Sequence, residues 1–245
     1  MREGVLGVRP IHAILLDVGN TLLHFDCERI AGILATHGFA TTAHAIRVAE
    51  YAAKGALDRV LASAARDDGA ALDPVLRASY FETVLAGLGV LPAEIGPLLA
   101  TLARHNRESC LWSVAEPDAA TVLRELVARG FVLGVVSNAD GRVEADLERA
   151  GLRPYLTAVV DSHVVGVEKP DPRIFTIALE RLRVDPERAI HVGDIVGIDV
   201  RGARRAGVEP VLMDPLGCYP GSVDCPRISR LADLLDLVPR RARSS

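Results

Sequence analysis

The sequence predicts an α/β protein, a doubly wound parallel sheet with an all-helical domain inserted near its start. Three observations lead there. Strand-length apolar runs, among them 131–136, 189–192 and 210–213, recur along the chain, and several stop at a Gly, Ser or Asp, as buried strands of a parallel sheet do. From about Gly130 onward these runs alternate with amphipathic stretches that carry helix start and stop signals. Between about Cys27 and Cys110 few such runs occur, and Ala and Leu recur with long helical periodicity.

In order, Ile11 and residues 13–16 form the first strand, which ends at Asp17. The insertion follows, with Ile30, Ile33 and Leu34 on one helical stripe, Ile46, Ala49, Tyr51 and Ala53 on a second helix, and Tyr80, Val84 and Leu88 on a third. The expected division is 1–26 with 111–245 as the α/β core and 27–110 as the helical insertion. Glu116-Pro117-Asp118 opens a helix that places Val122, Leu123, Leu126 and Val127 at helical spacing and stops at Gly130. A strand to Val136 comes next, then a helix over 140–150 closed by Gly151, and a strand over 157–160. Asp171 caps a helix whose first residue is Pro172. Asp185-Pro186 begins a short turn before the strand at 189–192, a helix over 199–206 stops at Gly207, and a strand over 210–213 and a terminal helix over 231–237 finish the chain.

At 245 residues and 49% hydrophobic, the chain can bury a sizeable core. A net charge of -4 gives no electrostatic case for a nucleic-acid partner. No apolar stretch approaches the ~20 residues of a membrane span, and residues 1–4 open no signal-peptide apolar region. A soluble cytoplasmic protein with no membrane partner is expected. Cys27, Cys110, Cys218 and Cys225 lack zinc-site spacing and are expected as thiols, although Cys218 and Cys225 lie close enough to pair in an oxidising compartment. Nothing marks an oligomer interface, so a monomer and a homodimer fit equally.

The chemistry-bearing residues sit at or just beyond the apolar runs. They are Asp17-Val18-Gly19-Asn20-Thr21, Ser137-Asn138, Lys169-Pro170, and Gly193-Asp194 followed by Asp199. Ligands bind such sheets outside the carboxyl ends of the strands, so the acids, the hydroxyl and the lysine are aimed at one crevice. A carboxylate at Asp17 can attack as a nucleophile, although a turn or cap role serves the motif equally well. Asp194 and Asp199 suit Mg²⁺, which takes hard oxygen ligands and is commonly held by one or two carboxylates with substrate phosphate. Asp17, Asp194 and the Gly19 carbonyl would ligate it and Asp199 would orient the set from behind, the plain alternative for Asp199 being a helix N-cap. Ser137 and Asn138 can donate hydrogen bonds to phosphoryl oxygens, or form an ordinary turn. Of the 28 Lys plus Arg residues only Lys54 and Lys169 are lysine, leaving 26 arginines. A lysine retained against that background points to a need for a compact ammonium, and Lys169 would neutralise both the phosphoryl group and Asp17.

Together these pieces resemble the haloacid dehalogenase-like (HAD) superfamily. Its four motifs appear in order as Leu16-Asp17-Val18-Gly19-Asn20-Thr21-Leu22, Val136-Ser137-Asn138, Gly166-Val167-Glu168-Lys169-Pro170-Asp171-Pro172-Arg173-Ile174-Phe175 and Val192-Gly193-Asp194-Ile195-Val196-Gly197-Ile198-Asp199. The resemblance covers nearly the whole chain, because the helical insertion falls where that superfamily carries a helical cap. It implies a Rossmann-type core, Asp17 as the nucleophile of an aspartyl-phosphate intermediate, Ser137 and Lys169 as phosphoryl-binding catalytic residues, and Mg²⁺ held by Asp17, Asp194 and the Gly19 carbonyl. The cap would close over the crevice and choose the substrate. The expected activity is Mg²⁺-dependent hydrolysis of a small phosphorylated metabolite.

One position departs from the pattern. The superfamily's phosphatases usually carry a second Asp two residues after the nucleophile as general acid, where this chain has Gly19. Such assistance contributes about 10²–10⁴-fold, so slow hydrolysis or a substitute donor is expected, with Asp26 and His24 as candidates. Gly19 also supports a binding protein that keeps the phosphate pocket without turnover. The metal-independent haloacid dehalogenases are a rival on the same scaffold, disfavoured by Asp194 and by Gly19, where those enzymes carry an aromatic. Within the insertion, His44, Arg47, Tyr51, Lys54, Arg104 and His105 are candidates to touch substrate.

Overall fold

The computed structural model describes residues 10–64, 74–219 and 223–238. Strand β1 (Ala13–Leu16) leads to β2 (Leu23–Phe25), after which come four helices, α1 (Cys27–Thr36), α2 (Ala43–Ala64), α3 (Pro74–Gly87) and α4 (Pro92–Glu108). Strand β3 (Trp112–Ala115) pairs with β2 in a two-stranded ribbon. The remainder runs α5 (Ala119–Ala128), β4 (Val132–Ser137), α6 (Val143–Arg149), β5 (Ala158–Asp161), α7 (Ser162–Val165), α8 (Pro172–Leu182), β6 (Ala189–Gly193), α9 (Arg201–Arg205), β7 (Glu209–Met213), β8 (Arg227–Ile228) and α10 (Leu234–Leu237). The chain divides into two compact units, Met1–Leu23 with Ala115–Ser245, and His24–Val114. Both breaks fall inside the ribbon, at 23/24 and 114/115, rather than at 26/27 and 110/111. No helix among the described residues is long and apolar enough to cross a membrane.

The α/β unit is built on a six-stranded sheet in the order β5-β4-β1-β6-β7-β8, with every pair parallel. Winding proceeds outward from β1 to β4 and β5 on one side, then returns through α8 to β6 on the other. β1 is therefore the topological switch point, where a crevice opens beyond the strands' carboxyl ends. Its register sets Leu16 opposite Val135 of β4 and Val192 of β6, so the residues that follow these three strands emerge side by side.

All four residues of β1 and all five of β6 are buried, the continuous pattern of a strand covered on both faces. Helix α8 covers one face with Ile174, Phe175, Ala178, Leu179 and Leu182, in one apolar cluster with Leu15, Val136 and Val160. Each of the Ile, Leu, Val and Phe side chains contributes roughly 1.5–3 kcal/mol on full burial. The approach is close at Gly134, where a Cβ would lie 3.0 Å from a Leu182 methyl and 3.1 Å from one of Leu15. Asp171 caps α8 as expected, its side chain accepting from the Arg173 N–H with Pro172 at the first position.

Three local expectations need correction. The helix over 199–206 is instead a π-helical turn, Val196–Val200, followed by α9, so Asp199 lies within the wide turn and not at an N-cap. The terminal helix is a 3₁₀ turn, Leu231–Asp233, followed by the four residues of α10. The β2–β3 ribbon and β8 were not anticipated, because β2 and β8 have only three and two residues and β3, although as long as β1, is nowhere fully buried and so does not form an apolar run.

The helical unit has a separate core. Phe25, Ile30, Leu34, Ile46, Leu85, Leu98 and Leu102 are buried together. The ring centroid of Phe25 lies 4.7 Å from that of Trp112 and 5.8 Å from that of Phe81. The ends of this unit are held together by an Asp26 N–H to Leu111 C=O bond of 2.8 Å.

Candidate active site

Asp17 is fixed where β1 ends by its N–H bond to the Val192 carbonyl of β6, 2.8 Å. The chain then turns sharply. Leu22 and Leu23 N–H groups both donate to the Val18 carbonyl, at 2.9 and 2.8 Å, and the Asn20 N–H donates to Leu23 at 2.7 Å. Asn20 adopts φ 54°, a left-handed conformation that asparagine accepts more readily than most side chains. Gly19 lies within this turn, two residues beyond Asp17.

Lys169 reaches the crevice from the loop before α8. Its buried ammonium donates to Asp17 Oδ1 at 2.6 Å and to Asp199 Oδ1 at 2.7 Å. Asn138 holds the lysine's backbone from both sides, with Nδ2 donating to the Lys169 carbonyl at 2.8 Å and Oδ1 accepting from the Lys169 N–H at 2.7 Å. The side chain expected to donate to substrate thus also clamps the backbone of Lys169. Ser137, buried, ends β4 beside β1.

Asp199 is locked from three directions. Oδ1 accepts from Lys169 and from His191 Nε2 at 3.0 Å, and Oδ2 accepts from the Ile195 N–H at 3.0 Å. Its carboxylate lies over Gly193, where a Cβ would come 2.2 Å from Asp199 Cγ, so any larger residue there would displace it. Asp194, buried at the end of β6, is steadied from the loop after β7. The Tyr219 hydroxyl donates to the Asp194 carbonyl at 3.1 Å and accepts from the Val196 N–H at 3.4 Å. Asp214 anchors that loop by accepting from the Cys218 N–H at 2.8 Å and pairing with Arg227 at 3.3 Å.

Asp17, Asp194 and Asp199 each offer a carboxylate oxygen within 4.8 Å of the others, all buried. The Lys169 ammonium pairs with two of these acids, Asp17 and Asp199. Burial and the neighbouring Asp199 and Asp194 outweigh Lys169 and push the Asp17 carboxyl up to about 7. Burial works against the Lys169 charge, but Asp17 and Asp199 prevail and hold its pKa above the ordinary value. Burial likewise opposes charge on Asp199, and Lys169 with His191 overcomes it, keeping this carboxyl well below its usual range. His191 is pushed down by burial, which Asp199 only partly offsets. Hard oxygen donors with a deficit of positive charge fit Mg²⁺.

The structure thus brings together Asp17, Lys169, Asp194 and Asp199. It gives Asp26 a different task, since Oδ1 caps α1 by accepting from the Arg29 N–H at 3.0 Å. His24 lies half-buried on β2. Among the insertion's candidates, His44, Arg47 and Arg104 are exposed and His105 half-exposed, while Tyr51 and Lys54 are buried. Lys54 Nζ lies 3.6 Å from Glu50 Oε1 and 3.7 Å from the Tyr51 ring centre, and the Tyr80 hydroxyl donates to Glu50. Two residues escaped the sequence reading. His191 had a signal, as the one polar side chain within 189–192, whereas Tyr219 in an irregular loop had none.

A model of the haloacid dehalogenase-like hydrolases matches residues 11–207. The chain belongs to this family. Human haloacid dehalogenase-like hydrolase domain-containing protein 3 is 35% identical to this HAD-like hydrolase over 173 residues, 67% of the chain and 66% of that protein. The phosphoserine phosphatase of Thermus thermophilus is 35% identical over 162 residues, 66% of the chain and 63% of that enzyme. The chain spans about half to two thirds of the length of the curated relatives it matches. Among solved structures, the magnesium-bound HAD hydrolase YfnB from Bacillus subtilis superposes with a TM-score of 0.68 at 19% identity, covering 94% of this HAD-like hydrolase and 99% of that chain.

Proposed function

We propose that this HAD-like hydrolase is a Mg²⁺-dependent phosphatase that removes the phosphoryl group of a small phosphorylated metabolite through an aspartyl-phosphate at Asp17. One observation carries the reading: the Lys169 ammonium lies 2.6 Å from Asp17 within a buried cluster of three carboxylates, at the mouth of a doubly wound sheet. The phosphoserine phosphatase among its relatives supports the substrate class.

In this reading Asp17, Asp194 and the Gly19 carbonyl would hold Mg²⁺, and the ion would supply positive charge that favours phosphate and the ionised form of Asp17. Asp17 Oδ attacks phosphorus in line, the bond to the leaving oxygen breaks, and water later cleaves the acyl phosphate. Lys169 and Ser137 bind equatorial phosphoryl oxygens, where charge gathers in the transition state. Asn138 and Asp199 keep the ammonium aimed. The unit His24–Val114 takes the part of the family's helical cap, the element that selects the substrate.

Gly19 supplies no acid to the leaving group, and Asp26 is occupied as a helix cap. Turnover is accordingly expected to be slow and to favour substrates whose leaving group needs no proton. That predicts faster release of phosphate from an aryl phosphate than from an alkyl phosphate, dependent on Mg²⁺ and abolished in Asp17→Asn. Binding of a phosphate analogue without turnover of any substrate would instead establish a binding protein, the reading that Gly19 favours.

A further inference from the structure

We propose that His191 is a positioning residue of the phosphoryl site, which sets how the Lys169 ammonium is shared between Asp17 and Asp199. The proposal rests on the phosphatase reading for its kinetic consequence, but not for its structural one. His191 stands at the middle of β6, opposite Leu15 on one side and Pro210 on the other, and has no exposed surface. Its ring meets that of Phe175 edge to face, with centroids 4.9 Å apart and planes at 84°, so packing fixes where Nε2 points. An imidazole buried in an apolar strand is costly unless it is hydrogen-bonded, and its Nε2 lies 3.0 Å from Asp199 Oδ1. An ionised carboxylate only accepts, so the imidazole donates.

The acceptor atom gives this bond its consequence. Asp199 Oδ1 also accepts from Lys169, and the same ammonium donates to Asp17 Oδ1 at nearly the same length, 2.7 against 2.6 Å. Two carboxylate oxygens compete for one cation, and His191 satisfies part of one of them. Without that donor, Asp199 Oδ1 attracts the ammonium more strongly and draws it from Asp17 and from the phosphoryl oxygen it serves. The Ile195 N–H on Oδ2 and the closeness of Gly193 keep Asp199 from turning to another partner.

The chain's two lysines make the test direct. In full-length protein labelled with ¹⁵N at lysine Nζ, two ammonium signals are expected, and Lys54 in the helical unit serves as the internal reference. His191→Leu and His191→Met should shift the Lys169 signal and leave that of Lys54 in place, while His191→Gln, which can donate from a similar position, keeps the wild-type shift. With an aryl phosphate and Mg²⁺, His191→Leu should lower kcat about tenfold, or about 1.4 kcal/mol, with KM changed less than twofold. His191→Gln should recover kcat to within about threefold. In an Asp199→Asn background the His191→Leu loss should vanish. An unmoved Lys169 signal in the folded Leu or Met variant would overturn the proposal, as would equal kcat for Leu and Gln. Should the wild type hydrolyse nothing, the phosphatase reading fails and the ammonium signals alone judge His191.

Discussion

The α/β unit and the helical unit each bury a lysine against carboxylate, and they do so in opposite ways. Lys169 takes its partners from 152 and 30 residues away, at the ends of β1 and just beyond β6. Lys54 takes Glu50 from one turn earlier on the same helix, with Tyr80 of α3 donating to that glutamate. The first arrangement exists only when three strands are in register, so its geometry is as rigid as the sheet and suited to chemistry. The second travels with a single helix and fastens it to its neighbour. Burial of a charged pair therefore does not distinguish a site from a strut, whereas the sequence distance between the partners does.

The difference can be broken most severely at Lys169. Lys169→Met leaves Asp17 and Asp199 facing each other without a cation, and should lower kcat/KM about 10³-fold while costing about 3–5 kcal/mol of stability in denaturant titration. Lys169→Arg should fail to rescue either, because the fully buried space that fits a compact ammonium 2.6 and 2.7 Å from two carboxylates does not fit the larger planar guanidinium. Next is Gly193→Ala, whose added methyl collides with Asp199 Cγ. A fall of about 10²-fold in kcat and a loss of about 1–3 kcal/mol are expected, and full activity would show that Asp199 need not sit where it does.

A smaller effect lies in the pH dependence of stability. Folded Asp17 titrates near 7 against an ordinary 3.8, so between these values the folded chain keeps a proton that the unfolded chain has released. Its contribution is present at about pH 4 and fades as pH rises towards 7. His191 runs the other way, its depressed pKa costing stability as pH drops below 6.5. Subtracting the stability of Asp17→Asn isolates the aspartate, and in EDTA this difference should fall steadily from pH 4 to 7. Mg²⁺ should flatten the fall, and a difference that rises with pH would refute the charge deficit. The smallest effect on activity is expected at Lys54. Lys54→Met should destabilise the chain by about 3 kcal/mol yet leave aryl phosphate hydrolysis within about threefold. A loss matching that of Lys169→Met would erase the distinction between the two lysines.

Much of this contrast could be read before the fold was known, and the reason is physical. Parallel strands buried on both faces write themselves as apolar runs, and whatever polar residue follows a run must emerge at the crevice. Asp17, Ser137 and Asp194 were legible on that ground, and Lys169 through its rarity. Asp199 could be found but not assigned a local structure, because the wide turn at Val196–Val200 is stabilised by that aspartate's own bonds to Ile195 and has no pattern in the sequence. Asn138 was seen as a polar residue in the right place, but its bonds to the Lys169 backbone could not be read, since which way an amide faces depends on a residue 31 positions away. β2 and β8, of three and two residues, are fixed by their neighbours and carry almost no signal of their own, and β3, though as long as β1, is nowhere fully buried and so does not form an apolar run.

The ribbon of β2 and β3 has an evolutionary consequence. The 91 residues His24–Val114 begin on one strand of this ribbon and end on the other, and the bond from the Asp26 N–H to the Leu111 carbonyl ties the two just inside those ends. A guest whose two ends already touch asks no more of its host than a hairpin turn would. Such a module can be exchanged, enlarged or redesigned by recombination while the catalytic scaffold is inherited intact.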